Sequence, residues 1–203
     1  MLTQICEALQ QGKAKVVKKL VQEAIDAGVP AQEILEKGLI TGMNEFCFMP
    51  EDTLTRAMFI TMLGRLFEGC GGSIGAENST AAQFVDVDTN AYYGKYLGWA
   101  VENGIILGYG DGRFGPNDKI TREQMCIMIA NFLQMMQADD YTPAALGFRD
   151  NYLISYWALD AVSYCVGKNI ITGMNGNLFA PQNPATRAQA AVILQRVADR
   201  LQP

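Results

Sequence analysis

Three Thr-Arg pairs, Thr55-Arg56, Thr121-Arg122 and Thr186-Arg187, are the residues of this chain whose type and spacing could do chemistry. Successive arginines lie 66 and 65 residues apart. A guanidinium presents a planar fork that matches a carboxylate or phosphate, so the chemistry on offer is anion recognition, not bond making. Each threonine suits a helix N-cap. Gln124 and Gln189 complete a capping box three residues on, whereas Met58 leaves the first box half missing. Each arginine therefore falls at the first helical position, where the macrodipole disfavours a cation by roughly 0.3–1 kcal/mol. Two roles would compensate. One is a salt bridge or carbonyl bond that ties one repeat to the next. The other is an anion site in which the helix N-terminus and the guanidinium hold one acid group together. The tie ranks slightly ahead.

Other chemistry is thin. The chain has no histidine, which removes His-dependent triads, His metal sites and the commonest acid–base residue. Cys6, Cys47, Cys70, Cys126 and Cys165 show neither metal-ligand nor CxxC spacing. Cys6, Cys126 and Cys165 fall in apolar helical patterns and are expected as buried thiols. Asp111 reads as a turn residue, since one Asp does not supply the converging oxygens of a cation site. No catalytic residue, metal ligand or cofactor is expected.

The elements that position the arginines form a repeat. Gly42, Gly108 and Gly173 keep the same steps as the arginines, and so do Pro50, Pro116 and Pro181. A motif copied at a fixed period means repeat architecture. Tyr109-Gly110-Asp111-Gly112 is turn chemistry. Phe48, Phe114 and Phe179 are single apolar anchors under the loops. The spacing predicts helices near 2–11, 13–27, 30–37, 55–68, 91–103, 121–137 and 186–201, with linkers over 70–80 and 138–147. Met125, Met128, Met135 and Met136 read as adaptable core. Tyr92, Tyr93, Tyr96 and Trp99, with Tyr152, Tyr156 and Trp157, could stack on sugar rings, but half of each set must face inward on an amphipathic helix.

Phe84-Val85-Asp86 and Phe148-Arg149-Asp150 precede these aromatic-rich stretches. The glycine turn, a Phe-x-Pro and the Thr-Arg pair follow. The whole pattern resembles the S-layer homology domain. The resemblance implies an all-α, or nearly all-α, assembly of three repeats about a pseudo-threefold axis. It also implies a non-catalytic module that binds anionic secondary polysaccharide of a bacterial cell wall. On that resemblance the glycan contacts are Arg122 and Arg187, with Arg56 weaker, and Tyr92 and Trp157 packing on sugar. Asp86 and Asp150, which would either cap the following segment or bond a sugar, and the turn glycines Gly108 and Gly173 complete the set. The expected repeats are 38–75, partial, then 84–140 and 148–203. The sequence departs from the family pattern at Met58, Gln124 and Gln189, where Glu is usual, and Tyr92 stands where Trp157 matches the family's tryptophan.

Residues 1–44 carry a second resemblance, to the helical cap of corrinoid proteins in methyltransferase systems. Residues 1–37 would then also supply the first helix of the first repeat. The Asp-x-His-x-x-Gly ligand loop of that family is absent, and no histidine can serve as a lower ligand, so cobalamin is not expected. The competing function is an intracellular, corrinoid-linked accessory protein that uses its N-terminal helices for partner binding. Among 203 residues, 49% are hydrophobic and 18% charged, enough apolar content for a substantial core. A net charge of −5 gives no basic field for nucleic acid. No apolar run approaches the roughly 20 residues of a membrane span. Met1-Leu2-Thr3 leads straight into an amphipathic stretch with no legible leader. The expected place is the cell surface, bound to the wall, or the cytoplasm if no export signal precedes the chain.

Overall fold

The computed structural model describes residues 51–75, 79–138 and 140–201. The helices expected at 2–11, 13–27 and 30–37, with Gly42, Phe48 and Pro50, lie outside the described residues. Within them the architecture is helical: α1 is Arg56–Gly69, α2 Gly94–Glu102, α3 Arg122–Met135, α4 Leu159–Gly167 and α5 Arg187–Arg200. Three 3-10 turns, Ser79–Gln83, Asn151–Leu153 and Tyr156–Ala158, connect them. Pairing between extended segments amounts to isolated bridges such as Thr53 with Thr186, Thr55 with Lys119 and Thr121 with Pro184.

Those bridges mark the centre of the molecule. Two residues ahead of each arginine, Leu54, Ile120 and Ala185 are fully buried. The Leu54 N–H donates to Ala185 O at 3.0 Å, the Ala185 N–H to Ile120 O at 2.9 Å, and the Ile120 N–H to Leu54 O at 3.0 Å. Three backbone hydrogen bonds thus close a ring about a pseudo-threefold axis. The first repeat takes its place in that ring alongside the other two.

From the ring the long helices α1, α3 and α5 start alike. Thr55, Thr121 and Thr186 each accept the N–H three residues on, and the reciprocal bond from the N-cap N–H to a glutamine is present at Gln124 and Gln189. The apolar stripes then pack inward. Phe59, Ile60, Leu63 and Leu66 of α1 are buried, as that helix packs on α2 and the other long helices, and so are Met125, Met128, Ile129 and Phe132 of α3, with Phe132 edge-on to Trp99 of α2 and Cys126 O accepting from Cys165 Sγ of α4. Met135 and Met136 are half-buried against the same core. Phe114 and Phe179 lie fully buried under their loops, each worth about 1.5–3 kcal/mol in transfer free energy.

The short helix α2 begins later than the start near residue 91 that periodicity suggests, and α4 is not delimited from sequence. Tyr92 and Tyr93 precede α2, and Trp157 sits in a 3-10 turn ahead of α4. At α2 the chain is held in tight turns, with the Ala91 N–H on Asp88 O and the Gly94 N–H on Ala91 O, before the helical ladder begins. This tight geometry turns Tyr92 outward while Tyr93, Tyr96 and Trp99 pack into the core.

Candidate functional site

Each arginine is buried: Arg56 is 5% exposed, Arg122 4% and Arg187 4%. Arg56 Nε donates to Phe114 O at 2.8 Å, and Arg122 Nε donates to Phe179 O at 2.7 Å. Both bonds cross from one repeat to the next, which is the tie set out from sequence. Arg122 adds a second, from its terminal amine to Thr172 O at 2.9 Å. Arg56 instead lies between rings, 4.6 Å from the centroid of Tyr109 and 4.7 Å from that of Phe114. Burial pushes the pKa of all three guanidiniums down, against the raising influence of nearby acids such as Asp118 at Arg56.

The backbone of the same turn is also committed across each joint. The Arg56 N–H donates to Asp118 O, the Arg122 N–H to Asn183 O and the Arg187 N–H to Asp52 O, at 2.9, 3.1 and 2.8 Å. The Ala57 and Glu123 N–H groups donate to Pro116 O and Pro181 O. With the next N–H held by the capping threonine, the first turns of α1 and α3 have their amides paired inside the protein. What these joints offer a ligand is therefore the guanidinium edge and the side chains on the rim, not the open end of a helix.

Asp86 and Asp150 do not take the capping role that is one of the two alternatives from sequence. Asp86 accepts from the Phe114 and Gly115 N–H groups at 2.9 and 2.8 Å, and Asp150 from Phe179 and Ala180 at 2.7 Å each. No side-chain cap bond forms from Asp150 to the turn that follows it. Each carboxylate clamps the Phe-x-Pro loop of its own repeat, some 28 to 30 residues away, because that loop turns two adjacent N–H groups inward. Burial pushes the Asp150 carboxyl up, but the two backbone N–H bonds outweigh it and hold the pKa below its ordinary value. Gly108 and Gly173 belong to the same corner. A Cβ at either would meet the Phe84 or Phe148 ring at 2.5 Å, and Gly108 also adopts φ +72°.

The rims carry the exposed aromatics. Tyr92 is 59% exposed and Trp157 57%, at equivalent positions in the second and third repeats. The Tyr92 hydroxyl lies beside the Thr55 side chain, next to Arg56. Trp157 belongs to the turn that packs on α3, the helix that Arg122 begins. Tyr109, two-fifths exposed, donates its hydroxyl to Asp118 Oδ2 at 2.9 Å over Arg56. Asp111 is a turn residue, accepting from the Arg113 backbone and side chain. Among the described residues no cluster of Cys, Asp and Glu has the makings of a metal site.

Two features escaped the sequence reading. Tyr109 was assigned to a turn, yet it also covers Arg56. Glu123 went unnoticed although Ala57 and Ala188 occupy its place in the other repeats. Its carboxylate is 1% exposed and bridges repeats by accepting from the Ser155 N–H, the Ser155 hydroxyl and Gln182 Nε2 at 2.9, 2.8 and 2.7 Å. Aligning the three Thr-Arg motifs column by column exposes that one charged outlier.

Known proteins share this pattern. Residues 83–126 and 148–191 match the S-layer homology domain, and residues 1–47 match a B12 binding domain. The chain is 32% identical over 170 residues to an amylopullulanase of Thermoanaerobacterium thermosulfurigenes, covering 81% of this chain and 9% of that protein. It is 25% identical to the surface-layer 125 kDa protein of Lysinibacillus sphaericus, over 84% of this chain and 14% of the other. It is 30% identical to a cellulosome-anchoring protein of Acetivibrio thermocellus, over 62% of this chain and 27% of the other. The chain thus spans a minor part of each. Residues 1–47 lie outside the described residues, and with no histidine in the chain they have no imidazole to offer a corrin cobalt.

Proposed function

Residues 83–126 and 148–191 belong to the S-layer homology family, and from that premise we propose that this chain is a non-catalytic anchoring module that binds anionic cell-wall polysaccharide at the bacterial surface. The observation that carries this reading is that each of the first two joints has a buried guanidinium and an outward-facing aromatic ring: Arg56 and Tyr92, whose hydroxyl lies beside Thr55, and Arg122 and Trp157, whose turn packs on the helix that Arg122 begins. A pyranose stacks its apolar face on such a ring, and an acid substituent on the sugar meets the guanidinium edge. Since the chain carries a net charge of −5, the polymer is held by these local cations and not by a general field. Arg187 is the corresponding cation of the third joint. Asp86, Asp150, Gly108 and Gly173 serve the site by fixing the loops that shape it.

The relatives support the surface role: one is named for the surface layer and one for anchoring. The enzyme among them aligns over a short part of its length, as an attachment module would. Nothing in these relatives favours a corrinoid-linked role inside the cell. Wall sacculi from a Gram-positive bacterium test the proposal, before and after hydrofluoric acid removes their secondary polysaccharide. The chain is expected to sediment with the native sacculi and to stay in solution with the stripped ones. Equal sedimentation with both, or with neither, overturns it.

A further inference from the structure

Two of the chain's thiols meet where the second repeat packs on the third. Cys126 lies on α3 and Cys165 on α4, and both are fully buried. The Cys165 thiol donates to Cys126 O at 3.5 Å and is also within hydrogen-bond reach of the Cys126 thiol. One sulfur that touches both the main chain and the side chain of the other cysteine places the two residues side by side, as a disulfide between two helices requires. The other repeats lack the pair. Ile60 and Ala191 stand at the place of Cys126, and Ala100 at that of Cys165. Apolar side chains therefore satisfy the packing at both places, and packing alone does not call for a thiol at either. Cys70, by contrast, is exposed.

We propose that Cys126 and Cys165 are a disulfide site that staples α3 to α4, and so the second repeat to the third, when the chain folds in the presence of a small-molecule disulfide. One cysteine, as its thiolate, attacks a sulfur of the oxidant. A bond from protein sulfur to oxidant sulfur forms as the oxidant's own S–S bond breaks, and one small thiol leaves with the electron pair and takes up a proton. The second cysteine then attacks the protein-bound sulfur and expels the other small thiol. The pair gives up two protons and two electrons, and the oxidant gains both in becoming two thiols. Burial pushes the Cys165 thiol well above the ordinary thiol range, so in the folded chain it stays protonated and closed off. The exchange accordingly belongs to folding, before α4 docks on α3, and a chain folded under reducing conditions keeps its thiols. The loop that the staple closes, residues 126–165, holds the linker over 138–147 and the turn that carries Trp157. The staple is independent of what the joints bind.

Refolding the full chain from denaturant, in mixed oxidised and reduced glutathione or in dithiothreitol, tests this. Trypsin cuts after Arg122, Arg149 and Lys168, so the staple joins peptides 123–149 and 150–168. In the glutathione sample, non-reducing mass spectrometry should find them as one species that dithiothreitol separates. Because the staple constrains the unfolded chain, the melting temperature should rise by about 5–15 °C over the dithiothreitol sample. Cys165→Ala repeats the alanine found at Ala100, and Cys126→Ala the one found at Ala191. Either variant should melt at one temperature in both buffers. Folded wild type placed in the glutathione mixture without denaturant should form the linked species about tenfold or more slowly than the refolding chain does. Peptides that stay separate after refolding, linkage through Cys70 in their place, or a linked chain that melts no higher than the reduced one overturns the proposal. So does a difference between the buffers that survives in both alanine variants.

Discussion

The first joint, between the first and second repeats, and the second, between the second and third, share a backbone and differ in what fills it. In both, an arginine Nε reaches a phenylalanine carbonyl, the arginine N–H reaches a loop carbonyl, and the ring bonds at the axis are alike. At the first joint the guanidinium is covered by Tyr109 and flanked by Asp118. At the second, Met174 and Asn183 stand in those places, a second carbonyl takes the guanidinium, and Glu123 ties the rim from below. Main-chain bonds thus set the repeat, and they tolerate different side chains around them. Ligand chemistry can diverge joint by joint without disturbing the assembly.

The hardest test of that division is to move the carboxylate. Ala57 is 1% exposed and lacks the donors that surround Glu123. Ala57→Glu should bury an unpartnered charge and cost about 3–5 kcal/mol in chemical denaturation. Adding Asn90→Ser and Asn117→Gln should restore a good part of that loss. If Ala57→Glu alone is neutral, the joints are less distinct than their contacts imply.

Cutting the ties comes next. Arg122→Ala orphans two carbonyls, Phe179 O and Thr172 O, and should lose about 2–4 kcal/mol, whereas Arg56→Ala orphans one and should lose about 1–3 kcal/mol. Sedimentation with sacculi on the same preparations decides whether either arginine also holds an acid group. Early melting with wild-type retention would leave the arginines as ties alone. Arg122→Lys keeps the charge and loses the fork, and should fall between the two.

The arginine, threonine and glutamine pattern was legible because capping and repeat spacing are local properties. Arg122 begins α3, and Thr121 with Gln124 forms its box, as the spacing requires. The direction of Asp86 and Asp150 was not legible. Their partners lie some 28 to 30 residues on, and nothing local distinguishes a cap from a clamp. The split of the aromatics was half legible. Periodicity demands that some face inward, but the tight turns before α2 and α4 choose Tyr92 and Trp157 for the outside. Glu123 needed a comparison between repeats, since its meaning is the alanine found in the other two.

The Asp150 clamp gives a smaller, pH-dependent effect. Its folded pKa is depressed, so its contribution is present above the ordinary aspartate range and is lost as pH falls through that range and below. Asp150→Asn should cost about 1 kcal/mol at neutral pH and flatten the acid limb of the stability curve. An acid limb identical to wild type would place the acid sensitivity elsewhere.

The smallest change in stability is expected where the joints meet solvent. Tyr92 and Trp157 are more than half exposed, so replacing either with alanine should shift unfolding by no more than about 0.5 kcal/mol. Retention by native sacculi should respond far more. A ring that stacks on a sugar contributes about 1–2 kcal/mol of apolar contact, or roughly five- to thirtyfold in affinity. Trp157→Ala should exceed Tyr92→Ala, because the indole is larger and its turn is anchored by Ser155 on Glu123. Additive losses in the double variant would mean that the two joints bind separate sugar units. A double variant no weaker than Trp157→Ala would mean that the second joint does the binding and that Tyr92 belongs to the scaffold. If both single variants sediment as wild type does, the exposed rings are not where the polymer sits, and the guanidinium edges of Arg56 and Arg122 would have to hold it alone.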